Sequence, residues 1–192
     1  MIMRTLSSHF TSRRAIAGLT SAVALGVGSA VWATSSASAA PAQPAAIIPM
    51  CTAGNLAVWV NLEQADGAAG TGYYPLEFTN ISGHACGTGG YPGVSATGAN
   101  GKQLGDAAGR NAVYPARSVT IPAGGTVHAL FSWGNAEVST SGCKPTTASE
   151  LKVYPPNSRT AISTFFDLPS CTVGGNHVYL HVSVLVPGTN IR

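Results

Sequence analysis

From Leu56 onward, apolar and polar residues alternate with a period of two, and no long stretch repeats at the helical period. This pattern constrains the chain more than any other feature, because successive side chains of a strand point to opposite faces. Leu56, Val58, Val60 and Leu62 share one face, with Trp59, Asn61 and Glu63 on the other. Tyr74, Leu76 and Phe78 alternate with Pro75, Glu77 and Thr79, and Pro75 predicts an edge position because proline cannot donate to a ladder. Val127, Ala129, Phe131 and Trp133 make a third apolar face, with Trp133 expected in the core. Residues 151–154, 161–166 and 177–186 supply three more strands, and 94–97 and 117–121 two shorter ones. Turn clusters such as Ser82-Gly83-His84, Pro122-Ala123-Gly124-Gly125 and Pro155-Pro156-Asn157 separate them. Seven or eight short strands predict an all-β fold. The expected form is an antiparallel two-sheet sandwich, since a single sheet leaves one face unburied.

The first forty residues read differently. Arg4, Arg13 and Arg14 precede a run from Ala15 to Ala33 that is nearly all Ala, Gly, Val and Leu, and Ala37 and Ala39 supply small residues for cleavage. Residues 1–39 are therefore expected to be a signal peptide, cut after Ala39. The Ser12-Arg13-Arg14 run suits twin-arginine export, and the general secretory route fits equally well. The apolar run is about long enough to span a bilayer. Its Ala and Gly content and the cleavage signal behind it argue against a retained anchor or stable membrane insertion. Residues 40–50 are rich in Ala, Pro and Ile and are expected to form a loose tether, with the folded domain occupying 51–192. Ile48-Pro49-Met50-Cys51 lacks the small residues of a lipoprotein processing site.

Without the leader, Lys102, Arg110, Arg117, Lys144, Lys152, Arg159 and Arg192 balance Glu63, Asp66, Glu77, Asp106, Glu137, Glu150 and Asp167. The basic pI belongs to the leader. No basic stripe remains to neutralise phosphates, which argues against nucleic acid and acidic membrane surfaces as partners.

Cys51, Cys86, Cys143 and Cys171 are widely spaced and form no C-x-x-C pair, a pattern that predicts two disulfides in an exported chain. Cys51 precedes the strand at Leu56 and Cys86 follows the strand ending near Asn80, so an antiparallel pair brings both to its open end. Cys143 and Cys171 bracket the 151–166 pair in the same way. The expected pairing is Cys51 with Cys86 and Cys143 with Cys171.

The ordered set of Cys51, Leu76-Glu77-Phe78-Thr79-Asn80-Ile81-Ser82-Gly83, Cys86, Gly90-Tyr91-Pro92-Gly93-Val94, Ile121-Pro122-Ala123-Gly124-Gly125, Phe131-Ser132-Trp133, Cys143, Leu151-Lys152-Val153-Tyr154-Pro155-Pro156 and Cys171 resembles the actinobacterial secreted domain of unknown function 4232. The resemblance runs from Cys51 to about Val186. It implies an immunoglobulin-like sandwich in secreted proteins or lipoproteins and carries over no catalytic or binding residue.

Candidate chemistry is sparse. His177 and His181 on one strand would stand about 13 Å apart, too far to share a metal ion. His84 falls in a turn and His128 on a strand, where polar packing is expected, so no metal or cofactor is anticipated. Gly93-Val94-Ser95-Ala96-Thr97-Gly98 is one residue too long for a nucleophile elbow, and no helix follows it. Gly87-Thr88-Gly89-Gly90-Tyr91-Pro92-Gly93 lacks the ending of a phosphate cradle and reads as a turn. The scattered acids weaken a glycosidase reading. Trp59, Tyr73, Tyr91 and Tyr179 are expected to be partly exposed, and Trp59, Tyr73 and Tyr91 are the candidate ligand contacts, since exposed rings stack on sugars or anchor protein partners. The expectation is a monomeric, non-enzymatic, secreted or cell-wall-associated module that binds a protein or surface glycan. A carbohydrate-binding module and a secreted hydrolase are the alternatives.

Overall fold

The computed structural model describes residues 47–134, 143–172 and 179–190, all within one compact unit spanning Pro44–Arg192. The expected leader, the tether as far as residue 46, and His177 lie outside the described residues. Twelve strands are described: β1 (Leu56–Val60), β2 (Asp66–Ala68), β3 (Thr71–Asn80), β4 (Cys86–Gly89), β5 (Gly93–Thr97), β6 (Gly109–Arg110), β7 (Ser118–Ile121), β8 (Thr126–Gly134), β9 (Pro145–Tyr154), β10 (Ile162–Cys171), β11 (Leu180–Val182) and β12 (Val186–Pro187). A single 3-10 turn at Ala53–Asn55 is the only helical element among the described residues, so the fold is all-β as the alternation predicts.

The strands form three hydrogen-bonded sheets where two are expected. The large sheet runs β1-β3-β8-β11-β6, with β2 extending the β1 edge of β3 and β12 pairing with β8. The others are β10-β9-β5 and β4-β7. All three contribute to one core: Leu76 and Phe78 of β3, Ala129 and Phe131 of β8, Leu151 and Val153 of β9, and Ile121 of β7 are fully buried in the same cluster. Phe166 of β10 meets Tyr74 and Phe131 edge-on at 5.0 and 5.9 Å, an aromatic contact between the large and three-stranded sheets.

Pro75 is a correction. It lies inside β3, paired with Leu130 of β8, and β3 has β1 on its other side, so it is not on an edge strand. Its carbonyl accepts a bond from Asn61 N at 2.9 Å, so its donorless nitrogen faces the same side, where β1 has just ended. The missing donor therefore breaks no bond of the ladder to β8. Leu62 falls beyond β1 and is exposed, not part of the Leu56 face.

The single strand expected over 177–186 is interrupted. β11 and β12 both pair with β8, and three residues, Ser183, Val184 and Leu185, oppose two on β8. Ser183 Oγ replaces a backbone acceptor at this bulge by taking the Leu130 N–H at 2.8 Å. The glycine-rich segment expected to turn is strand β4 as far as Gly89, with Gly90 at φ 102 making the turn. The end of the tether is also tied down: Gly87 donates to Pro49 O at 2.7 Å and Cys51 donates to Gly87 O at 2.8 Å.

Two local devices hold the sheets in place. Asn80, fully buried at the end of β3, satisfies all four amide valences: Nδ2 donates to His84 O and Ile121 O, and Oδ1 accepts from Ser82 N and Ser82 Oγ. Tyr179, expected to be partly exposed, is instead fully buried. Its hydroxyl donates to Leu104 O at 2.8 Å and accepts from Ser170 Oγ. Gly105, at φ +67, makes room for this ring, since a Cβ there would lie 3.0 Å from Tyr179 Oη. Trp133 is half-buried rather than a full core residue, and its Nε1 donates to Pro169 O at 3.1 Å.

The disulfides join Cys51 to Cys86 and Cys143 to Cys171, across sequence separations of 35 and 28. This is the connectivity read from the bracketed strand pairs, which are β1 with β3 and β9 with β10. Replacing Cys51 and Cys86 together by alanine should lower unfolding stability by about 3–4 kcal/mol, measured by urea titration. An unchanged midpoint would refute a constraining role for this bridge.

Burial pushes the Tyr179 hydroxyl above its ordinary value of 10.0, with Asp106 adding to the rise and the Ser170 hydrogen bond opposing it. The folded-state value exceeds the unfolded one, so the stabilisation is complete below the unfolded value and is lost as pH rises towards the folded value. Tyr179→Phe should cost about 1–3 kcal/mol at neutral pH. It should also shrink the loss of stability seen above about pH 10. Urea midpoints measured on both sides of that pH test it, and an alkaline limb of unchanged steepness in the variant would be the contrary result.

Candidate functional site

The face of the large sheet turned away from the core carries two transverse rows of side chains. Strand registers set the first as Trp59, Glu77, His128 and Val186, taken in order from β1, β3, β8 and β12. The second is Tyr73, Ser132, His181 and Gly109, from β3, β8, β11 and β6, with Arg110 next to Gly109. The rows are four steps apart along β3, from Tyr73 to Glu77, a distance of about 13 Å.

In the first row Trp59 is 39% exposed while Glu77 beside it is only 4% exposed. Glu77 Oε1 accepts a bond from Asn61 Nδ2 at 2.7 Å. Asn61 is itself held by Oδ1, which accepts from Glu63 N at 3.0 Å in a local turn. A flat ring therefore stands beside a pre-organised amide–carboxylate pair. His128 is buried, and its Nδ1 donates to Gly188 O at 2.8 Å. Because a carbonyl can only accept, that bond places a proton on Nδ1, while the buried Nε2 has no partner among the described residues.

The second row lines a polar cleft of about 330 Å³, bounded by Thr71, Tyr73, Arg110, Asn111, Ser132 and His181. Arg110 carries its guanidinium carbon 5.2 Å from the centre of the Tyr91 ring, a cation–π contact that orients the planar fork. Parallel pairing of β6 with β11 sets Gly109 opposite His181 and Arg110 opposite Val182, and Arg110 and His181 both line the cleft. The Asn111 N–H bonded to Val182 O at 2.9 Å continues that pairing.

The structure thus brings two of the three sequence-predicted contacts together. Tyr73 lines the cleft and Tyr91 holds its arginine, both half-buried, while Trp59 lies in the other row. Arg110, Asn111, Ser132 and His181 were not legible as site residues. Arg110 and Asn111 sit in a segment with no periodicity, and only the pairing of β6 with β11 reveals their neighbours. Ser132 and His181 are cross-strand partners, but among the described residues no carboxylate lines the cleft, and Ser132 is in mid-strand rather than on a shaped turn. The arrangement lacks the oriented acid that a hydrolytic triad uses. Among the described residues, no group of three His, Cys, Asp or Glu could hold a metal ion, and no helix is long and apolar enough to cross a membrane.

Residues 51–184 match the family model described as Domain of unknown function (DUF4232). The chain belongs to this family. Its match spans both disulfides, both strand pairs they bracket, and every residue that lines the cleft. No curated protein and no solved structure matches the chain.

Glu77→Ala strands Asn61 Nδ2 and should cost about 1–3 kcal/mol, whereas Glu77→Gln keeps an acceptor oxygen and should recover most of that loss. Urea unfolding of the two variants distinguishes them, and equal losses would show that the Asn61 bond does not organise this row.

Proposed function

We propose that the protein is an exported, monomeric, non-enzymatic module with an immunoglobulin-like sandwich that binds an extracellular glycan on the outer face of its large sheet. In this reading the large sheet forms one layer and the two smaller sheets together form the other. Export is supported by the leader-like residues 1–39 and by two disulfides, which persist in oxidising compartments. The observation that carries the glycan reading is the exposed Trp59 ring standing beside the fixed Asn61–Glu77 pair. An aromatic face stacks on the apolar face of a pyranose, and neighbouring polar groups set which hydroxyls it accepts.

A protein partner is the second reading, favoured by one apolar patch. Phe165 is 85% exposed on β10 and lines a depression of about 520 Å³ with Leu62, Tyr74 and Phe166. Such rings serve as interface anchors.

Binding of the purified, disulfide-bonded protein to a glycan array separates the two. Trp59→Ala should abolish glycan retention, and Phe165→Ala should leave it unchanged. Retention lost with Phe165→Ala and kept with Trp59→Ala would transfer the function to the β10 patch. Turnover of an array glycan would overturn the non-enzymatic reading.

A further inference from the structure

We infer that the cleft around Arg110 is a second subsite on the outer face, and that it takes the carboxylate of an acidic sugar unit. This inference rests on the glycan reading of the same face.

Arg110 is a permanent cation whose planar fork matches a carboxylate with two parallel hydrogen bonds. Tyr91 lies under that fork at 5.2 Å and restricts its orientation, so less side-chain freedom is lost on binding. Around it the cleft offers uncharged polar groups, with Ser132, Asn111 and Tyr73 able to reach ring hydroxyls and His181 completing the wall. Among the described residues, no carboxylate lines the cleft to repel an anion or compete for the arginine. The exposed Asp66 lies beyond Tyr73, at the far side of β3 from Arg110, and its Oδ1 accepts from Gly67 N at 2.8 Å.

Size also selects the ligand. A volume of about 330 Å³ is at the small end of the range of about 300–1,000 Å³ seen for small-molecule sites. It admits one sugar unit rather than a folded partner. The Trp59 row and the cleft share one side of the sheet; they lie about 13 Å apart along the strands, and β1 and β6 are four strands apart, about 19 Å, so an extended chain of several sugar units could stack on Trp59 and present an acidic unit to Arg110. A carboxylate fits better than a phosphate monoester because the cleft provides a single fork and neutral donors. A dianion calls for several cations.

Calorimetric titration of the purified, disulfide-bonded protein with oligogalacturonate and with its methyl ester tests the assignment. The free acid should bind at least about ten-fold more tightly than the ester, a difference of about 1.4 kcal/mol. Arg110→Gln should erase the difference, Arg110→Lys should restore only part of it, and Arg117→Gln, which lies outside the cleft, should leave it intact. Near-ultraviolet circular dichroism checks that each variant keeps its packing. Equal affinity for acid and ester, no detectable uronate binding, or a preference that survives Arg110→Gln would overturn the inference. So would displacement by equimolar inorganic phosphate, which marks a general anion site, or equal binding of a glutamate-rich peptide. Trp59→Ala distinguishes the two levels. If it abolishes binding of the ester while Arg110→Gln leaves the acid unaffected, the carboxylate subsite fails and the glycan face stands. If neither substitution changes binding, both fail.

Discussion

The ladder between β3 and β8 is the constraint on which the rest of the structure depends. It pairs Thr71 through Thr79 with Gly134 through Thr126 without a shift of register. A slip of one residue would exchange the two faces of each strand, turning Glu77, His128 and Ser132 into the apolar core and Phe78 and Phe131 out of it. The large loss of apolar burial in that alternative is what pins the register. Once pinned, the same pairing places Trp59 beside Glu77 and Tyr73 beside Ser132, so the outer face inherits its arrangement from the inner one.

Around this spine the fold places its polar groups economically. Asn80 closes the end of β3 by joining the Cys86 approach to the turn after β7, while Tyr179 ties Leu104 to Ser170 across the core. Both are buried side chains whose hydrogen bonds are met, which removes the desolvation penalty that would otherwise oppose burying them. The disulfides act at the ends of strand pairs that are already antiparallel, so they restrict the unfolded chain without dictating the native pairing. Rigid backing of this kind suits the binding face proposed for the large sheet, where small displacements of a ring or guanidinium would weaken a ligand contact.

The candidate site was only partly legible in the residues. Trp59 could be assigned to the outer face because its parity relative to Val58 and Val60 is a local property. Tyr73 followed the same rule through Leu76 and Phe78. Tyr179 obeyed no such rule, because it immediately precedes β11, and the opening made by Gly105 decides its burial. Pro75 misled as an edge marker because a proline is also tolerated where a neighbouring strand stops, and the end of β1 is set by long-range pairing rather than by the composition of β3.

What the sequence determined by itself was the class of fold, the partition of residues between inner and outer faces, the connectivity of the cysteines and the scarcity of catalytic groups. These follow from period-two alternation, from spacing and from composition, all of which act over a few residues or over the whole chain at once. Only the tertiary structure decided that the described strands form three sheets, that a bulge at Ser183 divides the last strand, and that Arg110 rests on Tyr91 in the cleft that His181 also lines. These outcomes depend on contacts between segments far apart in the chain, where the free energy of packing and loop closure, not local preference, selects the neighbour.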